Sequence, residues 1–363
     1  MWTDTAITRR LGIAAPIIQG PFGGGLSSVK LAAAVSNTGG LGSYGANALD
    51  GQQIKDLVAA LRKATDKPFA VNLWVNDQPV ALPDKAAFAQ FQAFFEPYYR
   101  ELDIETPAQP VRFAPDYMMQ IEAALEARPP VLSFVFGCPD SAIVEACRAR
   151  GIVTIGTATT PDEARALEAA GIDAIVATGA EAGGHRPSFL KSAESSLTGT
   201  LALIPQVADA VKIPVIAAGG IADGRGIAAA LILGAAAVQI GTAFLACDES
   251  GAPALHRDAL FTYKATDTAL TRAFSGRLVR AIRNRLFDEL ETQANALAPF
   301  PIQNWLSGTL RAAAIQQSRP ELLSLQAGQA GTRLRYRSTA FLMIALMRET
   351  EAAVARLGAQ RNA

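Results

Sequence analysis

Short unbroken apolar runs alternate along the chain with segments whose apolar residues recur every three or four positions. The first kind, bounded by Gly, Pro or polar clusters, reads as buried strand; the second reads as amphipathic helix. Strands are expected at PIIQG (16–20), LGSYG (41–45), KPFAVNLWV (67–75), VLSFVF (131–136), IVTIGT (152–157), AIVATG (174–179), PVIAAGG (214–220) and AVQIGTAFL (237–245). Helices are expected at 29–40, 51–64, 114–127, 139–150, 161–171, about 200–211 and about 224–233. Pro161 opens and Gly171 closes one of them, the usual asymmetry of a helix.

Eight strands that mostly alternate with helices predict a parallel sheet closed into a (β/α)8 TIM barrel, an α/β fold. A doubly wound open sheet is the competing architecture. It calls for a GxGxxG turn after the first strand, and PFGGGLSS (21–28) fits that pattern poorly. Two regions break the repeat. Residues 76–113 carry Pro79, Pro83, Pro97, Pro107 and Pro110 around an aromatic helix, FAQFQAFFEPYY. Residues 251–335 look mostly helical, with a break at LAPFPIQNW (297–305). Both read as parts of a second, smaller, mostly helical domain over the C-terminal face. The barrel then comprises 1–75, 114–250 and 336–363, the last stretch being a helix that packs back on it.

Composition narrows the class. Half of the 363 residues are hydrophobic, enough for a large core, and Lys+Arg balances Asp+Glu at 33 each. No basic excess points to nucleic acid, and no apolar run is long enough to span a membrane. The three cysteines, Cys138, Cys147 and Cys247, form no CxxC pair. They read as buried thiols of a reducing, cytoplasmic setting, with neither a disulfide frame nor a metal site expected. The N-terminus MWTDTAITRRLG has no signal-peptide pattern.

In such barrels the chemistry sits at the C-terminal ends of the strands. Strands seven and eight end in AAGGIADGRG and QIGTAF. These are the two loops that often hold a phosphate, with backbone N–H groups of Gly219, Gly220, Gly241 and Thr242 as donors and Asp223–Gly224 as a helix start. A sugar phosphate or flavin mononucleotide would suit them. GPF (20–22) can supply a backbone wall and Asn72 a side-chain amide, which favours a flavin. The segment GAEAGGHRP (179–187) cannot continue a strand or helix. Its Gly183–Gly184 pair lets the loop approach a flat ligand and aims His185, one of only two histidines, inward as acid, base or hydrogen-bond donor. Glu181 is read as a brace for that loop.

QGPFGGG, KPFAVNLW, GAEAGGHRP, AAGGIADGRG, QIGTAF and FPIQNWL, in this order across nearly the whole chain, resemble the nitronate monooxygenase family, formerly called 2-nitropropane dioxygenases, and within it class I. The resemblance implies a TIM barrel with FMN and a covering domain. It implies oxidation of alkyl nitronates such as propionate 3-nitronate, or of nitroalkanes, by O2 to a carbonyl compound and nitrite through a flavosemiquinone. By position, Gly20, Pro21 and Phe22 would line the flavin. Asn72, Thr178, Gly183, Gly219, Gly220, Gln239, Ile240, Gly241 and Thr242 would bind it. His185 would act as base toward a neutral nitroalkane or orient a nitronate. A homodimer is compatible with the pattern.

The chain departs from the family in places. Thr178 stands where relatives often have Gln, and GPF where many have APM. Relatives line the substrate space with several Tyr and a Lys. Here Tyr117 keeps one such place, and His256, Phe300, Asn304 and Gly308 take the others, so a cation is missing from the expected set. Tyr117 and His256 remain candidate substrate contacts. The competing functions are an NAD(P)H-dependent quinone or enoyl reductase on the same scaffold, a flavin-binding protein without turnover, and a non-redox phosphate-binding barrel. The last would want a Lys or carboxylate at a strand end. Lys191 is not at one, and no strand ends in Asp or Glu.

Overall fold

In a computed structural model, which describes residues 1–76 and 82–359, eight parallel strands form one sheet. They are Ile17–Gln19, Gly42–Gly45, Phe69–Trp74, Val131–Val135, Val153–Ala158, Ala174–Thr178, Val215–Ala218 and Ala237–Ile240. Residues 77–81 (Pro79 among them) and 360–363, within two of the expected segments, lie outside the described residues. The last strand returns to pair with the first, Ile17 opposite Val238. A parallel bridge between Ile18 and Leu41 closes the ring, so the molecule is a TIM barrel.

Side-chain alternation explains how the barrel is filled. Ile18, Ala70, Val131, Ile155, Ala174, Val176, Ile216 and Ala237 meet inside it, plugged from below by Ile7 and Leu11 of the first helix, Ala6–Leu11. The intervening residues, such as Val71, Leu73, Leu132, Ile175, Ala177, Val215 and Val238, face the outer helices. Each fully buried Val, Ile or Leu stabilises the fold by about 1.5–3 kcal/mol. The same period of two sends Asn72, Ser133, Thr157, Thr178 and Gln239 inward, one layer above the apolar plug. The register places Asn72 opposite Ser133, and Thr178 and Gln239 on either side of Ala218.

The outer helices start where short polar side chains can cap them. Asp50 and Gln53 form a capping box, Thr160 accepts from Glu163 N–H ahead of Pro161, and Asp223 accepts from Arg225 and Gly226 N–H. The last helix, Thr339–Ala359, packs on Gly224–Ile232 so closely that a Cβ at Gly224 would stand 2.2 Å from the Thr350 nitrogen.

A second apolar core joins Phe88, Phe95, Tyr98 and Tyr99 to Phe274, Phe287, Leu306 and Leu310 above the C-terminal face. Four expectations need correction. The run 237–245 is not one strand: it ends at Ile240, and Thr242–Leu245 turns into a short helix beyond Gly241. The aromatic helix is two, Lys85–Ala93 and Glu96–Glu101, and Pro97 sits in the first turn of the second, where its missing N–H costs nothing. The region 251–335 is not helical throughout, because Thr268–Thr271 and Val279–Ile282 form an antiparallel ribbon. Finally, Gly184–His185 does continue as strand: it adds to that ribbon, His185 opposite Val279. A ribbon edge supplied from far along the chain is invisible to local pattern.

Cys147 and Cys247 are buried and Cys138 is half-buried, all three as free thiols. No group of His, Cys, Asp and Glu suited to a metal ion occurs among the described residues. No helix there is long and apolar enough to cross a membrane.

Candidate active site

The strand ends surround a cavity on the C-terminal face of the barrel. Gly20, Pro21, Phe22, Asn72, Thr178, Gly183, Gly219, Gly220, Gln239, Gly241 and Thr242 line it, and so does His185. Ile240 does not: its side chain is wholly buried outside the cavity, and only its carbonyl takes part, accepting from Gly20 N–H at 2.9 Å.

At one end of the cavity the backbone is rich in donors. Gly219 and Gly220 have φ of 107° and 68°, a region open to glycine, which turns the chain sharply after strand seven. The N–H groups of Gly219, Gly220, Gly241 and Thr242 meet no protein acceptor among the described residues. Thr242 Oγ1 accepts from Gly328 N–H at 2.9 Å, leaving its own O–H to donate. Such a convergence of unspent donors suits a phosphate. The longer helix Gly224–Ile232 does not add to it, because its Gly224 N–H is taken by Glu349 at 3.1 Å.

Deeper in, Asn72 Nδ2 donates to the Ser133 hydroxyl at 3.0 Å and carbonyl at 3.2 Å, which fixes the amide. The Phe22 backbone is held by Ser27, whose hydroxyl accepts from Phe22 N–H and from Gly45 N–H, both at 3.1 Å, and donates to the Phe22 carbonyl at 2.8 Å. The flat wall next to the cavity is therefore rigid.

The loop after strand six is pinned from below by charge. Arg186, 2% exposed, donates to the carbonyls of Gly179, Thr178 and Ser196. Glu181 is a brace: its carboxylate accepts from Thr200 N–H and Oγ1–H, both at 2.8 Å. Its backbone carbonyl accepts from Gln329 N–H at 3.0 Å. Gln329 belongs to a strap, residues 326–330, of which Gln326, Gly328 and Ala330 line the cavity. Strap and loop touch so closely that a Cβ at Gly183 would stand 2.4 Å from the Gly328 nitrogen.

His185 faces Trp74 and Phe136, ring centroids at 5.1 and 5.9 Å. Its Nε2 is 2.8 Å from Ser275 Oγ. Burial, with Arg277 and Arg311 nearby, pushes its pKa down to about 3, so the ring is neutral at physiological pH. Arg277 lies across Phe136 and Phe300, its guanidinium carbon 3.8 and 4.3 Å from their centroids. Burial lowers Arg277 and Arg311 to about 10, which leaves both cationic.

The two candidate substrate contacts lie elsewhere. Tyr117 packs into the core between barrel and helices and does not line the cavity. His256 is 2% exposed and donates from Nε2 to the Gln326 carbonyl at 2.9 Å, so it anchors the strap from behind. Sequence reading missed Ser133, Ser275, Arg277 and the strap. Alternation along strand four carries the signal for Ser133. Nothing local marks the others, which reach the site through tertiary contact.

The chain matches the family model described as nitronate monooxygenase over residues 4–349. A probable nitronate monooxygenase of Staphylococcus aureus (strain Newman) is 42% identical over 331 residues, covering 91% of this chain and 92% of the relative. Among solved structures, a nitroalkane oxidase from Streptomyces ansochromogenes superposes with a TM-score of 0.87 at 38% identity, covering 97% of this chain and all of that one. FabK from Thermotoga maritima superposes with a TM-score of 0.77 at 29% identity, covering 98% and 99%.

Proposed function

The chain belongs to the nitronate monooxygenase family, an oxidoreductase family, and on that premise we propose that it oxidises small alkyl nitronates with O2 on a bound FMN. The observation that carries the reading is the cavity itself: unspent N–H donors at one end, a rigid backbone wall and a fixed amide along it, and a histidine at the other end. Those features match the parts of FMN, with Gly219, Gly220, Gly241 and Thr242 holding the phosphate, and Gly20–Phe22 and Asn72 meeting the ring system. FMN supplies one-electron oxidation of the substrate, with O2 as final acceptor.

The protein's own part is to bind, orient and keep water out. A histidine whose conjugate acid has a pKa of about 3 is a weak proton acceptor. It is better suited to donate a hydrogen bond to a nitronate already ionised than to deprotonate a nitroalkane. We therefore assign His185 primarily as the orienting group, with proton abstraction from neutral nitroalkanes as a slower secondary role. Trp74 and Phe136 cover its flank.

The test is oxygen uptake by the purified flavin-loaded protein, comparing propionate 3-nitronate and ethylnitronate with NADH plus a quinone. Nitronate-dependent uptake without NADH oxidation is expected. NADH oxidation alone would move the protein to the reductase branch.

A further inference from the structure

Next to the main cavity, behind Trp74, lies a smaller chamber of about 60 Å³ lined by Asn47, Trp74, Arg277, Phe300 and Asn304 among others. Trp74 is a wall of both. The chamber contains an anomaly. Arg277 Nη1 is buried and has no hydrogen-bond partner, and neither Arg277 nor Arg311 has a carboxylate partner among the described residues. Other buried or half-buried arginines each leave at most one nitrogen unpaired and spend the rest: Arg186, whose Nε is also unpaired, and Arg280 donate to backbone carbonyls, and Arg319 pairs with Glu101.

Stacking explains how Arg277 is held but not what it is for. Phe136 and Phe300 lie close to its guanidinium carbon, and Trp74 is 5.6 Å away. Rings attract the faces of a guanidinium and leave its edge, where the N–H donors point, unsatisfied. Its backbone is also fixed, since the Arg277 N–H donates to Ser275 Oγ at 3.3 Å. Arg311 adds a second cation, its Nη2 3.4 Å from Asn304 Oδ1. Arg277 is half-buried, but its Nη1 is shut off from solvent, and a buried charged donor left unmade is costly unless something pairs with it.

We infer that Arg277, backed by Arg311, makes the chamber behind Trp74 a site for a planar oxyanion, across the shared rings Trp74 and Phe136 from His185, and so determines which substrates extend into it from the main cavity. This rests on the nitronate reading for the identity of the substrate, but not for the existence of the anion site. A guanidinium edge matches two coplanar oxygens sharing one negative charge. Nitronate and carboxylate groups both have that shape and charge, so the occupant is either the nitronate head or a carboxylate carried by the same substrate. On this inference Arg277, in the turn after Ser275, takes the part of the cation missing from the set that the resemblance implies.

The first experiment uses the flavin-loaded wild type and no variant. Propionate and its neutral isostere propionamide are titrated while the flavin spectrum and tryptophan fluorescence are followed. Propionate should bind at least about tenfold more tightly; equal binding of the two overturns the site. The second compares wild type with Arg277→Gln and Arg277→Lys. The KM of ethylnitronate relative to that of nitroethane should rise at least about tenfold in Arg277→Gln, with a smaller rise in Arg277→Lys, which keeps charge but not the fork. A rise confined to propionate 3-nitronate would assign the site to the carboxylate instead of the nitronate head. Unchanged KM values and unchanged propionate binding in a flavin-replete Arg277→Gln would overturn the inference. If the wild type turns over no nitronate yet binds propionate in an Arg277-dependent way, the anion site stands and the nitronate reading fails.

Discussion

Ser275 Oγ lies 2.8 Å from His185 Nε2 and 3.2 Å from the Arg277 carbonyl, and it accepts the Arg277 N–H at 3.3 Å. A hydroxyl has one hydrogen and two acceptor sites. When that hydrogen goes to Nε2, the nearer of its two acceptors, Nε2 carries the lone pair and Nδ1–H is the donor left for the substrate. Ser275 thus sets both the tautomer and the angle of the ring. Ser275→Ala is expected to lower kcat/KM for ethylnitronate by about tenfold, the value of one net hydrogen bond, with flavin content unchanged. Steady-state oxygen uptake on flavin-replete protein checks this.

His185 itself should show up in the choice of substrate form. In His185→Ala, oxidation of neutral nitroethane should fall by at least about a hundredfold, the usual reach of general base catalysis, while preformed ethylnitronate loses less. Because burial and the two arginines hold the free-enzyme pKa near 3, kcat/KM for ethylnitronate should show no histidine step between pH 5 and 8. A sigmoid centred near pH 6.5 would mean that the ring is solvated and titrates normally.

Acid stability follows from both histidines. His185 is lowered to about 3 and His256 to about 4, each from an unfolded value of 6.5. A lowered histidine pKa means that the unfolded chain binds protons first. The stabilising contribution is present above pH 6.5 and is lost as pH falls toward 4, at up to about 1.4 kcal/mol per pH unit for each ring. Urea midpoints at pH 7.5, 6 and 5 measure it, and His256→Asn should flatten the slope.

Flavin retention probes the glycines. Gly220→Asp places a carboxylate beside the unspent N–H donors and should yield protein purified without yellow colour. Gly183→Ala puts a methyl group 2.4 Å from the Gly328 nitrogen, so the strap must lift. Its flavin affinity should drop by at least about tenfold, a modest backbone shift at a close contact. Absorbance at the flavin bands after desalting reports both, and full occupancy in Gly220→Asp would put the phosphate elsewhere.

Glu163 tests the scaffold apart from the chemistry. It is fully buried, and its carboxylate accepts from Thr159 N–H and Oγ1–H and from Phe189 and Leu190 N–H. It therefore ties the loop carrying His185 to strand five. Glu163→Ala strands those donors and should cost about 3 kcal/mol or more, read as a lower urea midpoint.

The parts of the site legible in sequence are those dictated by short-range rules. Strand runs and their Gly-rich ends put Asn72 and the glycines at the C-terminal strand ends, and the family resemblance added Thr178 and Gln239; in the structure all of them line one cavity. Alternation explains the misplacement of Ile240, which is out of phase with Gln239. What stayed hidden was everything that crosses between the two apolar cores. The ribbon Thr268–Thr271 with Val279–Ile282 has the short length and mixed polarity of loop, and only its pairing makes it strand. Tyr117 and His256 were placed by correspondence with relatives. Neither has a local feature that distinguishes lining the cavity from packing behind it.

His185 opposite Val279 has one more consequence, for the life history of the polypeptide. On the ribosome, the donor-rich strand ends at Gly219, Gly220, Gly241 and Thr242 emerge first, then the ribbon that fixes the histidine, and last the strap 326–330 that closes on both. The site is therefore complete only when nearly the whole polypeptide has left the ribosome, so a truncated chain has neither its histidine edge nor its cover in place.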